Sequence, residues 1–432
     1  MSADRIVAVS CFIPRPYRCT SRPEYLPIDK SSLKASNLVP FHLALVSTAV
    51  PPSPSGQARV LGALAAHRGN RKITFLTDNR NALANKGDGV AAAAYVALNA
   101  SEPYRRIAHF PPLYQLLQKW AYRTPVERRA RDIIAALTVQ RADIILACTA
   151  NLYDLPASYV AAQRLGIPFG AYLFDDPVLQ WPTHERRKFA AEWESVWAKE
   201  AALVVAPNEI LAEDFEHRTG RNAVIVRNPA LPGAYGNNTS ERPLGTPLRL
   251  LYTGSVYHAQ LDAVRNVAEA AARLPGGAVF DIHTSQAAKA LGGLDPVIVR
   301  VKPHIYSDEI FDVQKSADVL VLPLGFDTGV PEVIRSAAPG KMAEYLASGR
   351  PILAHVPADS FVARFFRERE CGVLVDTPDI ARISCALRDL AGDAALRLRI
   401  VRNAQDAARE FTANTASEKF WSAIESAASP SR

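Results

Sequence analysis

The sequence predicts an α/β protein built as two doubly wound, Rossmann-like halves facing one another across a cleft. Three observations carry that expectation. Short, continuous apolar runs alternate with helix-length segments, as parallel strands buried on both faces require. A segment rich in proline and glycine and without apolar period, Asn228–Pro247, divides the chain near its middle. The 432 residues also exceed the roughly 250–300 at which a single core stops growing.

Residues 1–39 are rich in proline, serine and arginine and lack periodicity, so they are expected to form an extension. The fold proper should begin with the strand Phe41–Thr48, followed by the loop AVPPSPSGQ, a helix over about Ala58–Ala66 and a strand at Lys72–Leu76. The alternation continues with a strand at Ala142–Cys148, a helix at Ala157–Leu165 ended by Gly166, and a strand at Pro168–Phe174. A helix over Phe189–Lys199, a strand at Ala202–Ala206, a helix at Glu209–Arg218 stopped by Gly220 and a strand at Ala223–Arg227 complete this half. After the linker the pattern restarts at Leu248–Tyr252, with a helix at Leu261–Leu274. Strands follow at Val279–His283, Val297–Val301, Val319–Leu322, Ile352–Ala354 and Gly372–Val375, and a last helix covers Ser417–Ala428. The domains are therefore expected at 40–228 and 248–415, joined by a linker at 229–247.

Composition narrows the function. Hydrophobic residues make 48% of the chain and charged residues 22%, the balance of a protein with substantial cores. No apolar run approaches the ~18 residues of a membrane span, and Pro14 and Pro16 interrupt the N-terminal apolar stretch, making a poor signal peptide. The five cysteines, Cys11, Cys19, Cys148, Cys371 and Cys385, are scattered without metal-type spacing, which argues for a reducing compartment and against a disulfide framework or zinc site. A net charge of +7 comes without a dense basic block interleaved with aromatics, so nucleic acid is not the expected partner. Nucleotide phosphates and an anionic membrane face suit that charge better. The clusters Glu185–Lys188 and Arg128–Arg131 read either as membrane-facing patches or as solvated helix faces.

The most informative segment is Pro339–Ala354, PGKMAEYLASGRPILA. Pro339 suits a first helical turn, Met342, Tyr345 and Leu346 recur at helical spacing, and Gly349 stands where a helix takes a left-handed terminal residue. Lys341 and Glu344, three apart, share one face. A helix N-terminus attracts anions, a lysine there adds to the pull, and a carboxylate one turn on can accept from a sugar diol. Phosphate plus ribose outlines a nucleotide. The alternative is an amphipathic helix with a solvated Lys–Glu pair.

This segment resembles the donor helix of the retaining GT-B glycosyltransferases of the family 4 type, in the variant P-x-K-x-x-E-Y-x-A-x-G-x-P. Pro339, Lys341, Glu344, Tyr345, Ala347, Gly349 and Pro351 fill its positions. The resemblance spans roughly residues 41–428 and is stronger in the second half. It implies that Glu344 holds the ribose of a nucleotide-sugar, with Gly340 and Tyr345 in the same donor motif. It also implies that the terminal helix, within 416–432, crosses back onto the first domain.

Other candidates lie in loops beyond the carboxyl ends of strands, where open α/β sheets bind ligands. The loop holding Ser55, Gly56 and Gln57 is similar to the family's first loop, which closes on donor phosphate or acceptor; the alternative is a plain turn. Asp175 and Asp176 can orient an acceptor hydroxyl, with Asp176 the chosen candidate, or cap the turn that Asp-Pro favours. Gly254 matches the family glycine after the second domain's first strand, but Ser255 and Gln260 replace the Arg and Lys that neutralise the diphosphate in many members. Lys341 and Arg335 are expected to substitute. Ser336 stands where the first glutamate of E-x7-E would be, leaving the sugar contact to Ser336 or to backbone. Tyr306, in the loop after Val297–Val301, either stacks on the base or is an exposed loop tyrosine. His184, His258, His283 and His304 form no catalytic or metal constellation.

The resemblance thus implies a cytoplasmic, metal-independent glycosyltransferase acting with retention. It would need no cofactor beyond the nucleotide-sugar co-substrate. Its acceptor would be a saccharide or lipid-linked hydroxyl in surface polysaccharide or glycolipid synthesis, with peripheral contact at the inner membrane face. Two rivals stay open. One is another GT-B activity, a nucleotide-sugar 2-epimerase or an inverting transferase. The other is a non-catalytic nucleotide-sugar-binding protein.

Overall fold

The computed structural model describes residues 40–100, 123–235, 244–257, 259–286, 291–292, 294–305 and 309–429. They belong to one unit beginning at Pro40; the expected extension at 1–39 lies outside the described residues. The first sheet is wholly parallel. It contains β1 (His42–Val46), β2 (Lys72–Thr77), β3 (Ala94–Ala97), β4 (Ile144–Cys148), β5 (Phe169–Tyr172), β6 (Leu203–Ala206) and β7 (Val224–Ile225) in the spatial order β3-β2-β1-β4-β5-β6-β7. Its described helices are α1 (Gly56–Ala66), α2 (Arg80–Ala84), α3 (Arg123–Val139), α4 (Asp154–Leu165), α5 (His184–Glu200) and α6 (Glu209–Thr219).

The second sheet repeats the plan with β8 (Leu248–Thr253), β9 (Ala278–Thr284), β10 (Val299–Pro303), β11 (Val319–Pro323), β12 (Ile352–His355) and β13 (Val373–Val375), ordered β10-β9-β8-β11-β12-β13. Around it lie α7 (Leu261–Ala272), α8 (Glu309–Ser316), α9 (Pro331–Arg335), α10 (Gly340–Ala347), α11 (Phe361–Arg369), α12 (Ile380–Gly392) and α13 (Ala394–Ala408). Both sheets reverse strand order beside their first strand, between β1 and β4 and between β8 and β11. Such a switch opens a crevice at the carboxyl ends.

Each sheet is buried on both faces. Val46, Ala147 and Ala171 join one core, and Leu45, Leu146 and Tyr172 the opposite one. In the second sheet Leu320 and Ala354 point to one side, and Val321 and Leu353 to the other. This alternation explains why the strands read as continuous apolar runs.

The terminal helix α14 (Ala413–Ala428) lies against the first sheet, as expected. Phe420, Trp421 and Ile424 enter the core that contains Leu61 and Leu64 of α1. Trp421, 2% exposed, donates its indole N–H to the carbonyl of Leu64 at 3.0 Å, and Arg71 lies over its ring while pairing with Glu425 at 2.6 Å. The crossing back therefore rests on burial of a large aromatic side chain, with a polar fastening at its edge.

The segment between the sheets is less loose than its composition suggests. The Ala230 N–H donates to the carbonyl of Phe411 at 2.9 Å, and Gly245 to Asp318 at 3.1 Å. Several elements were not expected. The strand β3 comes from an alanine-rich stretch with little strand character. The charged helices α11, α12 and α13 show helical character only through their buried faces, among them Phe365, Leu387 and Ile400. Within Arg128–Arg131 one arginine departs from both readings: Arg129 is 1% exposed and pairs with Asp154 at 2.6 Å and Asp78 at 3.0 Å, while Arg131 is exposed. No helix among the described residues is long and apolar enough to cross a membrane.

Replacing Trp421 by Ala should lower stability by about 3–5 kcal/mol, the cost of a large buried cavity. Trp421→Phe should cost only about 1–2 kcal/mol, chiefly through the lost donor to Leu64. Urea unfolding measures both, and equal small losses would mean that α14 contributes little to the fold.

Candidate functional site

The carboxyl ends of β8 and β11 carry most of the sequence candidates. The strand β8 ends at Thr253, and Gly254 follows with φ of +133°, a conformation that disfavours any side chain. A Cβ at Gly254 would also fall 2.5 Å from Nζ of Lys341 and 2.8 Å from its Cε. Glycine here makes room for the lysine. The Lys341 amine donates to Tyr252 Oη at 3.0 Å and sits 4.7 Å from the centre of that ring. Burial lowers the pKa of Lys341, against the opposing pull of Tyr345, Tyr257 and Glu344. The residue as a whole is half-buried, with its amine in a crowded crevice at the end of β8.

The helix α10 places Glu344 one turn further on. Its side chain is 9% exposed, and Oε1 accepts from Nη2 of Arg59 at 2.9 Å. Oε2 accepts from Nε2 of Gln314 at 3.0 Å, and the same amide reaches Thr253 Oγ1 at 3.2 Å. Arg59 belongs to α1 on the first sheet, whereas Gln314 belongs to α8 on the second. One buried carboxylate is thus held by both halves of the protein. The solvated Lys–Glu pair weighed for the sequence is not what this helix presents.

Tyr345, expected at the donor, is fully buried. Its hydroxyl accepts from the Thr253 N–H at 2.9 Å, and burial raises its pKa. It pins α10 to the end of β8 instead of lining an open surface. Gly340 is exposed at the start of α10, and Gly349 has φ of +74° just past its end, as the sequence implied.

Three further candidates are committed elsewhere. Arg335 forms an ion pair with Asp214 of α6, so its guanidinium ties the two halves together. Ser336 is 4% exposed; its hydroxyl turns back to the Glu332 carbonyl and its own carbonyl accepts from Asn208 at 2.9 Å. Asp176, 2% exposed, accepts from the amides of Val178 and Leu179 at 2.9 and 2.8 Å and pairs with Arg218 at 2.9 Å. Its role is the turn cap, strengthened by an ion pair that the sequence did not show. The neighbouring Asp175 is the exposed residue of the two. Although the residue is exposed as a whole, burial of its carboxyl group, and after it the adjacent Asp176, raise its pKa.

On the first sheet, Ser55 caps α1 by accepting from the Ala58 N–H at 3.2 Å. Gln57 donates to Ser47 at 2.8 Å, holding the loop against the end of β1. A Cβ at Gly56 would meet nothing within 4 Å, so no protein contact demands glycine there. Ser255 is exposed and its carbonyl accepts from Tyr252 Oη at 2.6 Å, while Gln260 is 8% exposed at the start of α7. Neither supplies a charge. Tyr306 and His258 lie outside the described residues. His304, beyond β10, has its pKa lowered by burial and by Arg59, Lys341 and His283. Among the described residues no group of three or more His, Cys, Asp or Glu is placed to hold a metal.

Comparison with solved structures recovers this architecture. HepE of Anabaena, solved in complex with UDP and glucose, superposes with a TM-score of 0.64 at 13% identity, over 89% of this chain and 100% of that one. The glycotransferase of kitacinnamycin gives 0.56 at 19% identity, over 90% and 100% of the two chains. TarM gives 0.63 at 10% identity, over 89% and 98%. The fold is GT-B. At these identities the likeness shows the fold alone. No family model matches the chain, and no curated protein matches it in sequence.

Arg59 and Gln314 were missed in the sequence because their roles come from pairing across 285 and 30 residues. The signal that could have found Arg59 is its place on the helix that follows the Ser55–Gln57 loop.

Gly254→Ala should cost about 1–3 kcal/mol through its strained backbone and should push Lys341 off Tyr252. Gly56→Ala, in open space, should be neutral or stabilising by up to ~1 kcal/mol. Chemical denaturation of the two variants checks the contrast, and equal effects would contradict the crowding described at Gly254.

Proposed function

We propose that the protein transfers a glycosyl group from a nucleoside-diphosphate sugar to a hydroxyl acceptor. The observation that carries this reading is the joint placement of Gly254, Lys341 and Glu344 at the carboxyl end of the second sheet, reached from the first sheet by Arg59. An ammonium in a crowded crevice suits a diphosphate. A buried carboxylate fixed by Gln314 suits a ribose diol. The UDP and glucose found with HepE support a donor of that class.

In this reading Glu344 and Gln314 position the nucleoside, and the Lys341 ammonium meets charge that develops on the departing diphosphate. Asp175, at the end of β5, takes the place first assigned to Asp176 and orients the acceptor hydroxyl. Apposition of the two sheets' crevices brings acceptor and donor together and excludes the water that would hydrolyse the donor. The resemblance of the Pro339–Pro351 motif to family 4 enzymes supports retention, so the hydroxyl attacks on the face the diphosphate leaves. We further propose catalysis without a metal, in the cytoplasm at the inner membrane face. The acceptors would be saccharides or lipid-linked saccharides of surface polysaccharide or glycolipid.

One observation favours a second reading, an inverting transferase. Asp175 is an exposed residue just beyond β5 whose carboxyl group has its pKa raised by burial and by Asp176, a suitable base for the acceptor hydroxyl. The anomer of the product separates the two. If Asp175 is the base, it must be ionised to act. The kcat/KM profile should then fall on the acid side above the ordinary aspartate value of about 3.9, and Asp175→Asn should abolish that limb.

Thermal shift against UDP, GDP, ADP and their sugars identifies the donor class; saturation at a hundred times Kd adds about 2.7 kcal/mol of stability. Stabilisation by none of them would contradict the reading. Donor hydrolysis without acceptor separates an enzyme from a binding protein, and interconversion of donor epimers would reveal an epimerase. With the donor known, Lys341→Met should lower kcat about 10²–10³-fold with a smaller change in KM. Lys341→Arg should recover only part of that loss. Near-normal turnover in Lys341→Met would remove the lysine from the mechanism.

A further inference from the structure

The cation supply of the second sheet is short for a diphosphate. Ser255 and Gln260 bring no charge, and Arg335 is bound to Asp214. Of the cations expected from the sequence Lys341 remains, already donating to Tyr252. From the first half, Arg59 of α1 reaches Glu344, one turn from Lys341 on the same helix, and its side chain is 45% exposed. Among the described residues its only side-chain hydrogen bond is the one to Glu344. That leaves most of the guanidinium donors for another acceptor.

We propose that Arg59 is a donor-site residue supplied by the opposite half: as a nucleoside diphosphate binds, its guanidinium leaves Glu344 and takes the diphosphate beside Lys341. The inference rests on the nucleotide-sugar reading above and adds a residue to it.

Competition at Glu344 drives the exchange. Oε2 is held by Gln314 within the same half, and among the described residues the only other hydrogen-bond partner of the carboxylate is Arg59 at Oε1. A ribose diol that donates to Glu344 must share or displace that partner. Displaced with nothing to receive it, Arg59 would stand close to Lys341, with His304 in the field of both, and the like charges would repel. A diphosphate removes that conflict, because its oxygens accept from guanidinium and ammonium together. A planar guanidinium can also bond two phosphate oxygens at once, which an ammonium cannot do with the same geometry. Arg59 thus bridges the halves before the ligand enters and bridges them through the ligand afterwards.

Calorimetric titration of wild type, Arg59→Gln and Arg59→Lys tests this with paired probes: UDP and uridine, GDP and guanosine, ADP and adenosine. For the pair that wild type prefers, Arg59→Gln should weaken the diphosphate roughly tenfold to a hundredfold. The nucleoside should bind as well as before or more tightly, since Oε1 is released. Arg59→Lys should regain part of the diphosphate affinity. Three results would overturn the proposal. Equal tightening of diphosphate and nucleoside in Arg59→Gln would make Arg59 a latch that only competes with ribose. An equal loss of both would make it a packing contact, and unchanged affinity for both would remove it from the site. Wild type that binds none of the three diphosphates is a different failure, since it contradicts the nucleotide-sugar reading and this inference with it.

Discussion

A carboxylate withdrawn from water must be paired, and at Glu344 the partners come from both halves of the molecule. Gln314 of α8 fixes one oxygen from inside the second half, and Arg59 of α1 holds the other from across the crevice. Leaving this carboxylate without either partner would strand a buried charge, which is expensive. The position of α1, the register of α10 on β8 and the orientation of Gln314 are therefore interdependent. Tyr345 reinforces the same junction by bonding the backbone and hydroxyl of Thr253. Gly254 then leaves the space that Lys341 fills.

Other polar ties between the halves gather away from this point. Asn208 bonds the Ser336 carbonyl, Arg335 pairs with Asp214, Arg364 with Glu213, and Asn228 reaches the Ala338 carbonyl. Ile210 of α6 packs into a core of the second half, beside Ala230 and Phe361. Two of these ties are side-chain to backbone bonds and two are part-exposed ion pairs, and the apolar burial of Ile210 accompanies them. The Arg59–Glu344 contact is a single hydrogen bond from a half-exposed arginine, and such a pair is screened and exchangeable. The proposed ligand would enter at the exchangeable contact and leave the packed one in place.

The strands were legible because burial on both faces writes them as apolar runs, as in Ile144–Cys148 and Val319–Pro323. The helix α10 was legible because proline, glycine and the apolar spacing of Met342, Tyr345 and Leu346 agree with one another. Charged side chains were not legible in the same way, because their meaning lies in distant partners. Arg129, within a run that looked solvated, is buried against Asp154 and Asp78. Arg335 and Asp176, whose side chains suit catalysis, are engaged by Asp214 and Arg218. Adjacent aspartates at a strand end cannot show by sequence which turns inward; the amides of Val178 and Leu179 claim Asp176 and leave Asp175 exposed.

The central claim is that Glu344 receives the ribose of a nucleotide. A cycle that crosses Glu344→Gln with removal of the ribose hydroxyls tests it most directly, using the preferred nucleoside diphosphate and its 2′,3′-dideoxy form in calorimetric titrations. In wild type, losing the hydroxyls should cost about 1.5–3 kcal/mol of binding, the worth of hydrogen bonds to a charged acceptor. In Glu344→Gln most of that difference should vanish, giving a coupling energy well above the ~0.5 kcal/mol expected of independent sites. Equal losses in both proteins would place the ribose elsewhere and contradict the account.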